Sequence, residues 1–166
     1  MELDDGLYAR LDKILNMIGE CALGIHDLSR TDLDPINNLP RFNMPFEFGI
    51  FVGAKCFGSV DQGKKRALVL DVEQYRYQKF ISDINGMDIR EHGANPQQAI
   101  VAVRNWLVSV SRRRIVAGPL LVAAYDKFLA ELPANAASAG FDPANIPYVD
   151  FEFMVTDWLL SAESAA

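Results

Sequence analysis

The chain has 166 residues, of which 50% are hydrophobic and 23% are charged, a composition typical of a globular domain with a buried core. The net charge of −6 argues against a nucleic-acid partner, because binding to a phosphate backbone requires clustered lysine and arginine. The opening residues "MELDDGLYAR" contain no apolar signal-peptide region, and no apolar run is long enough to span a bilayer. We therefore predict a cytoplasmic protein with no membrane partner.

The first elements predicted are a helix and a strand. Residues 4–20 carry an apolar stripe at helical spacing, with Asp4 or Asp5 as the cap. The mostly apolar run "CALGIHDLS" (21–29) is typical of a buried strand in a parallel sheet.

The next predicted helix carries one acid among apolar side chains. It follows a loop over residues 30–42, with Asn43 as its cap and Pro45 in its opening turn. The segment "FEFGIFV" that follows predicts a helix buried on most sides, with Glu47 in the first turn. The two cysteines, Cys21 and Cys56, also lie in apolar surroundings and are predicted as buried free thiols.

The rest of the chain continues the alternation of strands and helices. "KKRALVLDV" (64–72) predicts a buried strand and "MDIREHG" (87–93) a short third strand. Between them, "QYRYQKFISDI" (74–84) predicts a helix with Tyr77, Phe80, Ile81 and Ile84 on its inner stripe. "NPQQAIVAVRNWLVSVS" (95–111) predicts a helix capped by Asn95. Two further helices are expected after residue 115, around a loop over 133–147. We predict one α/β domain with a short parallel sheet flanked by helices, the core over 1–111 and a helical extension over 112–166.

Several polar residues are expected at one edge of this sheet, since open parallel sheets bind ligands beyond the carboxyl ends of their strands. They are His26, Asp27, Ser29, Arg30, Arg41, Asn43, Glu47, Asp71, Glu73 and Arg76. Some have an ordinary structural explanation, because an acid near a helix start suits the dipole and Asp and Ser are common in turns. His92, in the loop "EHGAN", is expected to have no role. No phosphate-binding, dinucleotide-binding or zinc-hydrolase motif is present, so no metal or cofactor is expected.

Three segments resemble an uncharacterised bacterial family: "GIHDLSRT…LPRFNMPFEFGIFVGAK", "LVLDVEQYRYQKFISDINGMDIREHG" and "NPQQAIVAVRNWL". The domain of that family is similar to nucleoside 2-deoxyribosyltransferases and, more distantly, to TIR-type NAD hydrolases. The resemblance implies a three-layer, flavodoxin-like (Rossmann-like) sheet that presents a catalytic Glu from the start of a helix. "FEFGIFVGA" places Glu47 in that role. Asp27, at the end of the preceding strand, is the second catalytic candidate.

The resemblance implies an enzyme that cleaves the N-glycosidic bond of a nucleoside, a nucleotide or an NAD-like molecule. A carboxylate can stabilise or attack the positive charge that develops at the anomeric carbon. A nearby Arg30 or Arg41 would keep that carboxylate ionised. The candidate substrate-binding residues are Ser29, Arg30, Arg41, Asn43, Asp71 and Arg76. A non-catalytic nucleotide-binding or defence module, and a fragment that only dimerises, are the alternatives.

The family resemblance also bears on the first strand. Members of that family carry a strand, a helix and a strand ahead of the segment that opens this chain. The resemblance therefore implies that the strand over 21–29 has an unpaired apolar edge. Such an edge favours a homodimer or aggregation.

Overall fold

The computed structural model describes residues 10–36, 38–84 and 87–164. These residues form two compact units, one within Asp5–Ile115 and one within Val116–Ala166, which we call the sheet unit and the helical unit. In the described residues the sheet unit contains a three-stranded parallel sheet flanked by helices. This confirms the predicted α/β class, and the sheet is consistent with a flavodoxin-like fold. The assignment of the whole chain to one domain stays a prediction.

Apart from the helix predicted over 74–84, the elements follow one another in the predicted order. The helices of the sheet unit are α1 (Arg10–Glu20), α2 (Asn43–Phe57) and α3 (Pro96–Ser111), and its strands are β1 (Leu23–Asp27), β2 (Arg66–Asp71) and β3 (Arg90–Glu91). The helical unit contains α4 (Gly118–Ser138) and α5 (Tyr148–Ser164). The predicted caps Asp4 and Asp5 lie outside the described residues. No helix in the described part of the chain is long and apolar enough to cross a membrane.

The strand β1 is an edge strand among the described residues, because it pairs with β2 and β2 pairs in turn with β3. The amide of Arg66 donates to Ala22, and the amide of Leu28 donates to Leu70. In a parallel ladder this pattern directs the even-numbered residues of β1 toward β2. The backbone N–H and C=O groups of Leu23, Ile25 and Asp27 therefore face the outer edge. The homodimer expected through this edge stays a prediction.

Two predictions about burial are wrong. The first strand and the two cysteines are less buried than their apolar sequence surroundings indicate. Leu23 and Ile25 of β1 are 39% and 44% exposed, because the neighbouring helices cover these side chains incompletely. Cys21 and Cys56 are free thiols as predicted, but both are exposed.

The helix α2 also differs from its prediction. It buries Phe48 and Phe51, whereas Phe46 and Phe57 are exposed, because the sheet, α1 and residues 62–64 cover the helix only in part. Phe42 occupies the cap position without a side-chain hydrogen bond, and Asn43 is the first helical residue. The Asn43 cap is therefore wrong, and Glu47 lies in the second turn rather than the first.

The segment over 74–84 forms two short 3-10 helices, Arg76–Lys79 and Ser82–Ile84, instead of one α-helix. Tyr75 precedes them in the left-handed region with φ 64°, which interrupts helical geometry at the start. The predicted inner stripe is nonetheless correct. The core cluster contains Leu28, Phe48, Val69 and Tyr77, and Phe80, Ile81 and Ile84 pack against it.

Two features of the later helices test the sequence signals directly. Asn95 caps α3 as predicted, because its side chain accepts a hydrogen bond from the amide of Gln98 at 3.2 Å. The loop predicted over 133–147 is shorter, since α4 continues through Pro133 to Ser138. Proline removes one helical hydrogen bond but does not end this helix.

The buried cation Lys65 stabilises the end of α1. Its ammonium group donates hydrogen bonds to the carbonyl oxygens of Ile18 and Cys21, and it lies 4.9 Å from the centre of the Phe51 ring. Carbonyl groups at the end of a helix have no partner within the helix, so a lysine can satisfy them.

We expect Lys65→Met to lower the free energy of unfolding by about 1.5–3 kcal/mol, the typical contribution of a hydrogen bond to a charged group. Lys64→Met is the matched control, because Lys64 is 70% exposed and pairs with Asp61 at the surface. That control should change stability by less than about 1 kcal/mol. Urea unfolding of both variants measures the difference, and equal losses would contradict the assigned role.

Candidate functional site

Glu47 lines an apolar hollow between α1, β1 and α2. The hollow has a volume of about 220 Å³, and its walls include Met17 from α1, Leu23 and His26 from β1, and Phe51 from α2. Within the described residues the Glu47 carboxylate has no ion-pair or hydrogen-bond partner. It is therefore available to a ligand in the hollow.

The imidazole of His26 forms part of the same wall. It is buried between the rings of Phe48 and Phe51, at centroid distances of 5.1 and 5.2 Å. Burial lowers the pKa of His26 from 6.5, so the ring is neutral at pH 7. Its Nε2 atom is shielded and has no partner among the described residues.

The pKa of His26 gives a prediction about stability. Because the unfolded chain binds this proton more tightly, the contribution of His26 to stability is complete above pH 6.5 and is lost as the pH falls below it. We expect the free energy of unfolding to fall more between pH 7.5 and 5.5 in the wild type than in His26→Phe. Urea unfolding at both pH values measures this, and an identical pH dependence in the two proteins would contradict it.

Gly24 allows the side chains of His26 and Phe51 to lie close to the backbone of β1. A Cβ atom at this position would lie 2.7 Å from His26 Nε2 and 2.8 Å from the Phe51 ring, closer than carbon atoms tolerate. The absence of a side chain at Gly24 thus helps to shape the wall of the hollow.

We expect Gly24→Ala to lower the free energy of unfolding by about 1–3 kcal/mol, as overpacking usually does. Gly49→Ala in α2 is the matched control, because a Cβ atom there meets nothing within 4 Å. Replacing a helical glycine without a clash should stabilise by about 0.5–1 kcal/mol. Thermal unfolding of the two variants should therefore shift in opposite directions, and a shared direction would contradict the account.

Asp71 and Arg76 form an internal ion pair. The Asp71 side chain is 0% exposed. Its Oδ1 accepts a hydrogen bond from Nε of Arg76 at 2.8 Å and lies 2.7 Å from Nη2 in an ion pair. Nη2 of Arg76 also donates to the carbonyl oxygen of Leu28 at 2.8 Å, and Nη1 lies 3.3 Å from Asp32. This pair joins the carboxyl ends of β1 and β2, and its contacts therefore indicate a structural role.

Asp27 and Ser29 lie together at the end of β1. Oδ1 of Asp27 accepts a hydrogen bond from the amide of Ser29 at 2.9 Å and lies 3.3 Å from Nε2 of His92. The sequence reasoning gave His92 no role. A usable signal was present, because His92 directly follows β3 just as Asp27 ends β1, and carboxyl ends of parallel strands share one edge.

Arg30 and Arg41 line a separate cleft of about 410 Å³ in the loop after β1. Arg41 pairs there with Asp34 at 2.9 Å. Asn43 and Glu73 are exposed. The structure thus divides the candidates into four groups: Glu47 with His26, Asp27 and Ser29 with His92, Asp71 with Arg76, and Arg30 with Arg41.

Comparisons of the chain with protein-family models, with curated proteins and with solved structures give no match. The family resemblance of the sequence therefore stays a prediction. In the part of the chain that the structure describes, no group of three His, Cys, Asp or Glu side chains could hold a metal ion. The function proposed below therefore rests on the geometry around Glu47.

Proposed function

We propose that this protein cleaves the N-glycosidic bond of a nucleoside, a nucleotide or an NAD-like molecule, with Glu47 as the acting carboxylate. The observation that supports the proposal is the position of Glu47 in the wall of an apolar hollow, without a protein partner among the described residues. An acid with a structural role would instead form a pair such as that of Asp71 with Arg76.

An acid in such surroundings suits this reaction. As the bond between the anomeric carbon and the base nitrogen breaks, its electron pair leaves with the base and positive charge develops on the sugar. A carboxylate in an apolar hollow stabilises that charge more strongly than one in water, because the local dielectric is lower. It can also form a covalent glycosyl intermediate, which water or a second base then resolves.

The size of the hollow limits what it encloses. Its volume of about 220 Å³ lies below the roughly 300–1,000 Å³ of typical ligand pockets. We propose that it takes the sugar and the bond to be cleaved, while the rest of the ligand extends along the open edge of β1. The outward backbone groups of Leu23 and Ile25 could then pair with the polar edge of a base. Asp27 does not line the hollow. It follows His26 at the end of β1, and we assign it to a hydroxyl group of the sugar that projects beyond the hollow.

The test is direct. The purified chain is incubated with deoxynucleosides, ribonucleosides and NAD, and released base is measured by liquid chromatography. We expect release of base from at least one of these substrates, in proportion to protein concentration. A folded chain that releases no base from any of them would overturn the proposal.

A further inference from the structure

We infer that His92 is a positioning residue that holds the Asp27 carboxylate ready to accept a hydroxyl group of the ligand's sugar. The inference rests on the proposed function for the identity of the ligand. It goes beyond that proposal because it assigns a role to a histidine that neither the sequence motifs nor the family resemblance singled out.

Among the described residues, the protein contacts the Asp27 carboxylate through one of its two oxygens. Its Oδ1 atom receives the amide of Ser29 at 2.9 Å and faces Nε2 of His92 at 3.3 Å. Within the described residues Oδ2 has no hydrogen-bond partner, and the side chain is 45% exposed. One oxygen is thus fixed by the protein while the other is available from solvent.

His92 approaches this carboxylate from a buried position, since its side chain is 8% exposed. The backbone around it is fixed on both sides. The amide of His92 donates to the carbonyl oxygen of Asp71 at 2.9 Å, and its own carbonyl accepts from the amide of Asn95 at 2.8 Å. Between them, Gly93 and Ala94 form a left-handed turn with φ of 56° and 55°. The imidazole is therefore held between the end of β2 and the start of α3.

The second ring nitrogen of His92, Nδ1, helps to identify the role of this side chain. Nδ1 of His92 is shielded and has no partner among the described residues. A shielded nitrogen without a partner is unfavourable, so an apolar side chain would serve a purely structural role better. The hydrogen bond that explains a histidine here is the one from Nε2 to Asp27, which places the proton on Nε2 and the lone pair on Nδ1.

The location fits a ligand site. Asp27 ends β1 and His92 follows β3, so the pair lies at the carboxyl ends of the strands, where open parallel sheets bind ligands. A buried imidazole behind a half-exposed carboxylate fixes the direction of the outer oxygen before the ligand arrives. At metal sites, hydrogen bonds that support a ligating side chain are commonly worth about 10–100-fold in affinity or activity, and we expect a similar effect here.

The experiment compares His92→Gln with His92→Leu. The amide of glutamine can donate to Asp27 as Nε2 does, whereas leucine cannot. Each variant is assayed for KM and kcat with a ribonucleoside and with its 2′,3′-dideoxy analogue. We expect His92→Leu to raise KM for the ribonucleoside by about 10–100-fold, to leave KM for the dideoxy analogue unchanged, and to be largely rescued in His92→Gln. Equal effects on both substrates, or no rescue by glutamine, would overturn the inference.

A spectroscopic measurement on the ligand-free protein is independent of turnover. The nitrogen-15 shifts of the two histidines report which ring nitrogen carries the proton. We expect the Nε2–H form for His92 in the wild type, and a changed His92 signal in Asp27→Leu with the His26 signal preserved. An Nδ1–H form, or an unaffected His92 signal, would overturn the hydrogen bond itself.

Failure of the proposed reaction is distinguishable from failure of this inference. If no base is released, the same nucleosides are titrated by calorimetry. Binding that His92→Leu weakens for the ribonucleoside alone would support the role of His92 while removing the proposed reaction. Binding of neither nucleoside would overturn the assigned ligand together with the proposed function.

Discussion

Replacing Arg76 with methionine is expected to lower the free energy of unfolding by about 3–5 kcal/mol, because removing one partner of a buried ion pair leaves an uncompensated charge. The charge in question is the Asp71 carboxylate, which is 0% exposed, accepts a hydrogen bond from Nε of Arg76 and lies 2.7 Å from Nη2 of the same residue. The variant also loses the bond from Arg76 to the carbonyl oxygen of Leu28 at 2.8 Å. The ends of β1 and β2 would therefore lose the side-chain contact that Arg76 provides, while their backbone pairing remains.

The matched control is Arg90→Met, because Arg90 is 59% exposed and pairs with Asp88 at the surface. That variant should change stability by less than about 1 kcal/mol. The double variant Asp71→Leu with Arg76→Met should recover part of the loss, since it removes both charges. Urea unfolding measures all three proteins. A loss for Arg76→Met no larger than that of the control would contradict the account.

The second large effect concerns activity. Glu47→Gln is expected to lower the rate of base release by at least about 100-fold, the loss typical of removing one group that stabilises transition-state charge. Glutamine has nearly the same shape as glutamate. It lacks the negative charge that would stabilise the positive charge developing on the sugar. Stability should change little, because the Glu47 carboxylate has no partner to lose within the described residues.

The control for this variant is Glu73→Gln, which removes an exposed acid just after β2. Single-turnover base release and urea unfolding are measured for both variants. We expect the control to retain the wild-type rate. Equal rates for Glu47→Gln and the wild type would remove Glu47 from the reaction.

The order of elements could be predicted because local signals decide it. The strands β1 and β2 lie in short, mostly apolar runs bounded by polar residues, and the cap at Asn95 followed by a proline fixes the start of α3. The apolar period over 74–84 correctly indicated which side chains face the core. It could not show that this segment forms 3-10 turns, because the left-handed conformation of Tyr75 leaves no signal in the pattern.

The site was predicted less completely than the fold. Glu47 stood out as a single acid among apolar residues, and it does line a hollow. The pairing of Asp71 with Arg76 and the approach of His92 to Asp27 join residues from different strands and loops. The sequence indicates that the ends of parallel strands share one edge of the sheet, but it does not show which side chains pair there. Burial of Cys21 and Leu23 was overestimated because an apolar run does not show how completely neighbouring elements cover it.

The most direct test is a crystal structure of Glu47→Gln with an intact nucleoside bound, since the slow variant should preserve the substrate. The account predicts that the sugar occupies the hollow beside β1, with its anomeric carbon about 3–3.5 Å from the side chain at position 47, the separation of reacting groups. A nucleoside bound instead in the cleft lined by Arg30 and Arg41, with the hollow empty, would contradict the proposed role of Glu47.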